Sequence, residues 1–270
     1  QNTSEKLAVR EVQDRKRCHV FHYHCDTSEN YGLKHLAAPQ STHWGSKSTS
    51  TLTAVGFYSE PGQPVQKFEI FVLTESLRHD SNMTARAQST LEDHVRETLP
   101  NMKRFTCWID DAPQHHRTNR CLSSAADRVE RDGLPRDTTF QGKHHGKTVG
   151  DSAGGRLKHW LDGGSNRLEM RQVKDMCDHM NEKCKPQKKS SKVSYRKALF
   201  MSMQGAMHMP VNVRIIRNLR GCFHCDYVWD PVEQQAECHR RHLHCPCSRC
   251  YAGDHAACEN QGVGVRERCY

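Results

Sequence analysis

Residues 52–75 read LTAVGFYSEPGQPVQKFEIFVLTE and predict two strands joined by a turn. Apolar residues rich in Val, Ile and Phe fill 52–60 and 67–75, a composition typical of strands in a sheet. Between them, Pro61-Gly62-Gln63-Pro64 supplies two prolines and a glycine, which interrupt regular structure. The stretch therefore predicts a β-hairpin from which the rest of the fold can be built outward.

The flanking segments extend this hairpin into a sheet with helices. The run CHVFHYHCD at 18–26 predicts a preceding strand, although its histidines are unusual in a buried strand. After the hairpin, apolar residues recur every four positions over 83–99, which indicates a helix capped by Asp80 and stopped by Pro100. Strands and helices then alternate, with strands at 103–109 and 138–141 and helices over 122–133 and 151–164.

This order favours an α/β fold, and a ribonuclease-H-like mixed sheet flanked by helices is one of several folds that fit it. We assign 1–170 to such a core. Residues 171–210 are rich in lysine and are expected to be a basic linker. Residues 211–270 begin with an apolar stretch and contain eight of the 14 cysteines, so a small cysteine-rich zinc-binding module is expected there.

Composition and charge restrict the partners. The 40 Lys and Arg exceed the 31 Asp and Glu, and a net charge of +9 favours a polyanion, most simply nucleic acid. An apolar share of 35% predicts a thin core. No stretch approaches the roughly 20 apolar residues of a membrane span, and no apolar signal region lies near the start. We therefore expect no membrane partner and an intracellular protein. A nuclear location and a possible homo-oligomer are also expected. The sequence begins at Gln1 without Met, which leaves open a preceding segment such as a separate DNA-binding domain.

Three segments bring aspartates to the ends of predicted strands or the start of a helix. They are CDTSENYG (25–32), WIDDAPQHHRTNR (108–120) and HHGKTVGDSAGGRLK (144–158), and their acids are Asp26, Asp110 and Asp151. Three carboxylates suit Mg²⁺ or Mn²⁺, and two such ions can activate a nucleophile and stabilise the leaving oxygen of a phosphodiester. The three acids are therefore the candidate catalytic and metal-binding residues.

The helix that begins near Asp151 has a distinctive face. Asp151, Gly154, Gly155 and Lys158 share it at helical spacing. Glycines there let a nucleic acid strand or a neighbouring helix come close, and Lys158 can meet a phosphate. Alternatively, Asp151 caps the helix and the glycines serve packing within the protein.

The three segments resemble conserved motifs, here called boxes, of a family of transposase-derived proteins with a ribonuclease-H-like catalytic core and a cysteine-rich C-terminal tail. The family's boxes read here Asp26 to Tyr31, Asp110 to Arg117, and His145-Gly146-Lys147 followed by Asp151, Gly154, Gly155 and Lys158. Order and spacing match over about residues 10 to 260. The resemblance implies metal-dependent DNA cleavage and strand transfer by an Asp-Asp-Asp site. The candidate DNA contacts in these boxes are His145, Lys147, Lys158 and Arg117; His145 and Lys147 can equally be exposed loop residues.

Some positions depart from the family pattern. The second box of the family begins with Ser-Asp-Gly, which is replaced here by Ile109-Asp110-Asp111. Histidines and Cys25 occupy strand positions that are apolar in the family. These departures keep open a catalytically inactive, domesticated protein that binds DNA or another protein. A third hypothesis, independent of the resemblance, is a zinc-binding interaction module.

Short cysteine spacings in the tail favour Zn²⁺. One tetrahedral site is expected from Cys245, Cys247, Cys250 and Cys258. A second is expected from Cys222, Cys225 and Cys238 with His242 or His244. Free or disulfide-bonded cysteines remain the alternative, although closely spaced cysteines strain as disulfides.

Overall fold

The hairpin predicted at 52–75 is confirmed. Its strands are β2 (Ser48–Tyr58) and β3 (Gln66–Thr74), which pair antiparallel. The turn is closed where the backbone N–H of Gln63 donates to the carbonyl of Glu60 at 3.0 Å, and Gly62 adopts the positive φ of 77° that glycine tolerates.

The computed structural model describes residues 18–32, 48–78, 80–110, 116–141, 149–165, 172–183, 193–203, 224–241 and 267–268. Within these ranges the remaining strands are β1 (Val20–Gly32), β4 (Arg104–Asp110), β5 (Arg136–Gln141), β6 (Tyr195–Met201), β7 (His224–Asp230), β8 (Gln235–Arg241) and β9 (Glu267–Arg268). The helices are α1 (Ser81–Thr98), α2 (Asn119–Asp132), α3 (Val149–Ser165) and α4 (Val173–Lys183).

The strands form one mixed sheet in the order β6-β3-β2-β1-β4-β5-β7-β8-β9. Strand β1 lies parallel to β4, β4 to β5, and β3 to β6, whereas the other neighbours are antiparallel. The expected α/β class with a mixed sheet is thus confirmed. No helix in the described ranges is long and apolar enough to cross a membrane.

Each face of the sheet has its own hydrophobic core. The first core lies under α1 and α2, where Met83, Leu91, Leu122 and Val129 are buried. The second core lies under α3 and α4 on the opposite face, where side chains such as Leu157 are buried. Because successive side chains of a strand point to opposite faces, β2 and β3 bury apolar side chains in both cores.

The predicted helix ends are confirmed for α1 and α2. The Asp80 carboxylate accepts a hydrogen bond from the backbone N–H of Met83 at 2.9 Å, and α1 stops at Thr98, before Pro100. Helix α2 ends at Gly133, whose φ of 70° gives the left-handed cap typical of glycine.

The regions beyond residue 170 contribute more to the sheet than we expected. The segment 171–210, predicted as a linker, contains α4 and β6, and β6 pairs with β3. The segment 211–270 supplies β7, β8 and β9, which extend the same sheet beyond β5. These strands are short and carry Arg, Lys, His and Cys, so their local pattern is weak. The predicted apolar stretch at 211–219 lies outside the described residues.

Candidate functional site

Two of the three candidate acids occupy neighbouring positions on parallel strands. Cys25 of β1 is aligned with Ile109 of β4, so the following residues, Asp26 and Asp110, are adjacent across the two strands. Asp110 is the last residue of β4, and its side chain lies outside the described part of the structure. Asp26 is half-buried and is aligned on its other side with Thr53 of β2. Strand pairing therefore brings together two acids that are far apart in sequence.

Asp151 lies in the first turn of α3 and is exposed. Helix α3 packs on β1 and β2, and its Ala153 and Leu157 are buried in the second core. Among the described side chains, which do not include that of Asp110, no three His, Cys, Asp or Glu residues form a group able to hold a metal ion. The convergence of the three carboxylates stays a prediction.

An aromatic cluster precedes the two acids on the strands that carry them. The rings of His24 and Trp108 stack with their centroids 5.8 Å apart, and His22 lies 5.4 Å from His24 and 5.8 Å from Trp108. Burial lowers the pKa of His24 to about 4. This imidazole is therefore neutral near pH 7, and the histidines that made β1 look unsuitable for burial pack as aromatic rings.

The opposite face of the same strands carries a pair of thiols. The sulfurs of Cys25 and Cys107 lie 3.6 Å apart, and the side-chain N–H of Gln88 in α1 points to both, at 3.6 and 3.8 Å. Burial raises the pKa of the Cys107 thiol well above its ordinary value. Because thiolate is the reactive form, the Cys107 thiol is unreactive, and both side chains pack in the first core.

The exposed face of α3 is open above its glycines. Gly155 and Lys158 are exposed with Asp151, and a Cβ added to Gly154 or Gly155 would meet no atom within 4 Å. Within the described residues, no neighbouring element packs against these glycines. Within the described part of the chain, the surface at these two glycines is therefore uncovered.

A buried carboxylate that sequence reasoning missed anchors α3 to the sheet. Glu69 of β3 is fully buried and accepts hydrogen bonds from Arg156 of α3 and from Arg196 of β6, the latter at 2.7 Å. The Arg196 guanidinium also lies 5.2 Å from the centre of the Trp160 ring. A single charge within the apolar run FEIFVLT was the available signal, since a buried charge requires a partner.

The candidate DNA contacts are dispersed. Lys158 is exposed on α3, whereas the half-buried Arg117 lies with its guanidinium 4.8 Å from the centre of the Phe140 ring. His145 and Lys147 lie outside the described residues. The described structure therefore leaves Lys158 as the exposed candidate and gives Arg117 a packing contact.

The predicted zinc ligands are largely outside the described residues. This applies to Cys245, Cys247, Cys250 and Cys258 of the first site and to Cys222, His242 and His244 of the second. Cys225 of β7 and Cys238 of β8 are described, and both are fully buried in the first core beneath α2. Both zinc sites stay predictions.

A comparison with protein families matches residues 7–209, more than half of the chain, to the family described as Domain of unknown function (DUF8701). The matched residues include β1 to β6 and all four described helices and end before β7. Comparisons with curated proteins and with solved structures each found no match. The chain therefore belongs to the DUF8701 family.

Proposed function

We propose that the chain is a transposase-like or transposase-derived DNA-binding protein with a ribonuclease-H-like core. In this proposal Asp26, Asp110 and Asp151 hold Mg²⁺ or Mn²⁺ for phosphodiester cleavage and strand transfer. The DNA partner implies a nuclear location.

The strand order supports the ribonuclease-H-like reading. Strands β1, β2 and β3 are antiparallel neighbours, and β4 and β5 then continue parallel to β1, in the order β3-β2-β1-β4-β5. A helix follows each of β3, β4 and β5. Strands β6 to β9 are additions at the two edges of this core.

The observation that carries the proposal is the register of β1 with β4. It makes Asp26 and Asp110 neighbours on parallel strands, at the point where β4 ends. Carboxylate oxygens are the ligands that Mg²⁺ prefers, and bound ions would activate the attacking oxygen and stabilise the leaving one. Asp151 would contribute from the start of α3, which packs on β1.

The charge and the open face of α3 support a nucleic acid partner. A net charge of +9 favours a polyanion. On α3, Gly154 and Gly155 leave room for a strand backbone, and the exposed Lys158 lies one turn beyond them. These features suit a phosphodiester chain lying across the helix.

Metal-dependent stabilisation and DNA cleavage test the proposal with the variants Asp26→Asn, Asp110→Asn and Asp151→Asn. Asp178→Asn is the matched control, because Asp178 is exposed on α4. Mn²⁺ should raise the melting temperature of the parent and the control by mass action, but not that of the three variants. DNA cleavage should fall to background in those variants. Without metal, Asp110→Asn should melt at or above the parent temperature, because it removes repulsion between carboxylates.

The opposite result has a clear meaning. If Asp110→Asn melts much earlier but keeps the metal response, Asp110 holds the fold and does not bind the ion. Losing a satisfied charged hydrogen bond typically costs about 1 to 3 kcal/mol.

The alternative function is a domesticated binding protein without catalysis. The polar and sulfur-containing side chains that replace apolar residues in β1, His22, His24 and Cys25, favour it, since they depart from the pattern that the family boxes predict. DNA binding and metal stabilisation without any cleavage would support this alternative.

We also propose Zn²⁺ binding by Cys245, Cys247, Cys250 and Cys258. The support is their spacing, because short Cys-x-Cys and Cys-x-x-Cys intervals are typical of thiolate zinc sites.

A further inference from the structure

Strand β6 is the outermost described strand at one edge of the sheet and pairs only with β3. The backbone N–H and C=O groups on the other side of an edge strand can pair with a strand of another molecule. Arg196 of β6 is engaged by Glu69, whereas Phe200 is 37% exposed and apolar. Such an edge requires protection from strand addition.

One side chain satisfies both outward backbone groups at the middle of β6. The Asn181 amide N–H donates to the carbonyl oxygen of Ala198 at 3.0 Å. The backbone N–H of Ala198 donates to Asn181 Oδ1 at 2.9 Å. One amide thus offers Ala198 a donor and an acceptor, as a residue of an adjacent strand would.

The packing of α4 fixes this amide in place. Asn181 lies in the last turns of α4, which packs on β6 and β3. The preceding Met180 is buried in the second core, as is Ala198. Because its helix is anchored, Asn181 meets β6 with little further loss of side-chain entropy.

We propose that Asn181 closes the β6 edge by acting as a strand mimic, and that removing its amide opens this edge to antiparallel pairing with β6 of a second copy. Self-pairing centred on Ala198 satisfies the outward groups of both copies with identical partners. In that register Lys197 of each copy lies opposite Leu199 of the other, so no like charges are directly opposed.

The test compares Asn181→Ala with Glu182→Ala, an exposed neighbour on α4. Light scattering over a range of protein concentrations should show a new association in Asn181→Ala, at least about tenfold tighter than any association of the parent through this edge. Glu182→Ala should behave as the parent. Residue-level hydrogen exchange should show the Ala198 amide losing protection in dilute Asn181→Ala and regaining it on association.

A second substitution distinguishes association through the β6 edge from nonspecific association. Proline lacks the N–H that a new strand needs and is tolerated where the N–H faces outward from an edge strand. Asn181→Ala combined with Ala198→Pro should therefore return to the parent's oligomeric state. Persistent association of this double variant would overturn the proposal, as would a folded Asn181→Ala that never associates.

The parent chain provides a test that does not depend on how the variants fold. By alternation, the amides of Arg196 and Phe200 face the same side of β6 as that of Ala198. The Ala198 amide should exchange more slowly than both. Equal exchange of the three would mean that Asn181 does not close the edge.

Discussion

The buried imidazole of His24 makes the stability of the sheet depend on pH. Burial lowers its pKa from 6.5 to about 4. The unfolded chain regains the ordinary value, so between these two pKa values the unfolded state binds more protons than the folded state. Burial of the neutral imidazole therefore does not reduce the unfolding free energy above about pH 6.5. The unfolding free energy falls as the pH decreases from there toward about 4.

We predict that His24→Phe removes this pH dependence. Phe keeps an aromatic ring beside Trp108 but cannot bind a proton. Between about pH 7.5 and about pH 5, the parent should lose about 2 kcal/mol more unfolding free energy than the variant. Urea unfolding at the two pH values measures it, with the exposed His159→Gln as control. An unchanged loss in His24→Phe would disprove the assignment.

A substitution at Gly155 on α3 should affect helix stability and ligand binding in opposite directions. Glycine inside a helix is less stable than alanine by about 0.5 to 1 kcal/mol, and a Cβ at Gly155 would meet no atom within 4 Å. We therefore predict that Gly155→Ala raises the melting temperature. If DNA lies on this face, the same variant should bind a duplex at least about tenfold more weakly, since a methyl group intrudes on a close approach.

Fluorescence anisotropy and thermal melting provide the two readouts for Gly155→Ala. His159→Ala, also exposed on α3, should leave DNA affinity near that of the parent. A stabilised Gly155→Ala with unchanged DNA affinity would exclude this face of α3 as the DNA contact.

At the scale of elements, one carboxylate joins two helices to the sheet. Glu92 of α1 accepts hydrogen bonds from Tyr23 of β1 at 2.7 Å and Arg136 of β5 at 2.7 Å, and Arg128 of α2 lies 3.0 Å away. Burial raises the pKa of Glu92, but the two guanidinium groups outweigh this effect and hold the pKa below its usual value. The ion network thus fixes how α1 and α2 sit on the sheet.

We predict that Glu92→Gln lowers the unfolding free energy by about 3 to 5 kcal/mol, because it leaves the buried Arg128 without its counter-charge and leaves Arg136 with Asp132 as its remaining acidic partner. The adjacent Asp93→Asn is the matched control. Asp93 pairs with Arg131, and both side chains are more than a third exposed, so its loss should cost no more than about 1 kcal/mol. Chemical denaturation measures both, and equal costs would contradict a buried network.

At the scale of the whole molecule, the sheet extends beyond the matched family region. The family match ends at residue 209, whereas β7, β8 and β9 continue the sheet beyond β5. Strand β9 pairs with β8, so the described residues that flank 242–266 lie side by side at the edge of the sheet. The four cysteines of the first predicted zinc site lie within this segment.

We predict that the purified chain binds about one Zn²⁺ or more. Removing the metal with a chelator should disrupt the β8–β9 pairing, while β1 to β6 keep their protection from hydrogen exchange. The reason is that metal-binding energy in such a segment is folding energy. Cys247→Ser should lose zinc, whereas Cys177→Ser, a buried cysteine of the second core, should keep it. Metal analysis without zinc, or β8–β9 pairing indifferent to chelator, would refute the site.

Elements with strong local signals were predicted from the sequence. The hairpin of β2 and β3 follows from two apolar runs around Pro61-Gly62-Gln63-Pro64, and α1 and α2 follow from apolar periodicity with Asp80 and Gly133 at their ends. Strand β6 and the strands after it were not predicted from the sequence. YRKALFM shows no clean alternation, and the alternation of HCDYVWD rests on Cys225 and Tyr227, of which the cysteine suggested a metal ligand. Their strand conformation depends on neighbours that complete their hydrogen bonds.

The sequence by itself therefore determined the elements whose stabilising interactions lie within a few residues, and it identified Asp26, Asp110 and Asp151 as candidates. Only the tertiary structure decided that Asp26 and Asp110 are neighbours, since that depends on the β1–β4 register between segments far apart in the chain. It also decided that Glu92 and Glu69 are buried among arginines. The physical reason is that register and burial minimise the free energy of the whole packed sheet, which no local window of sequence contains.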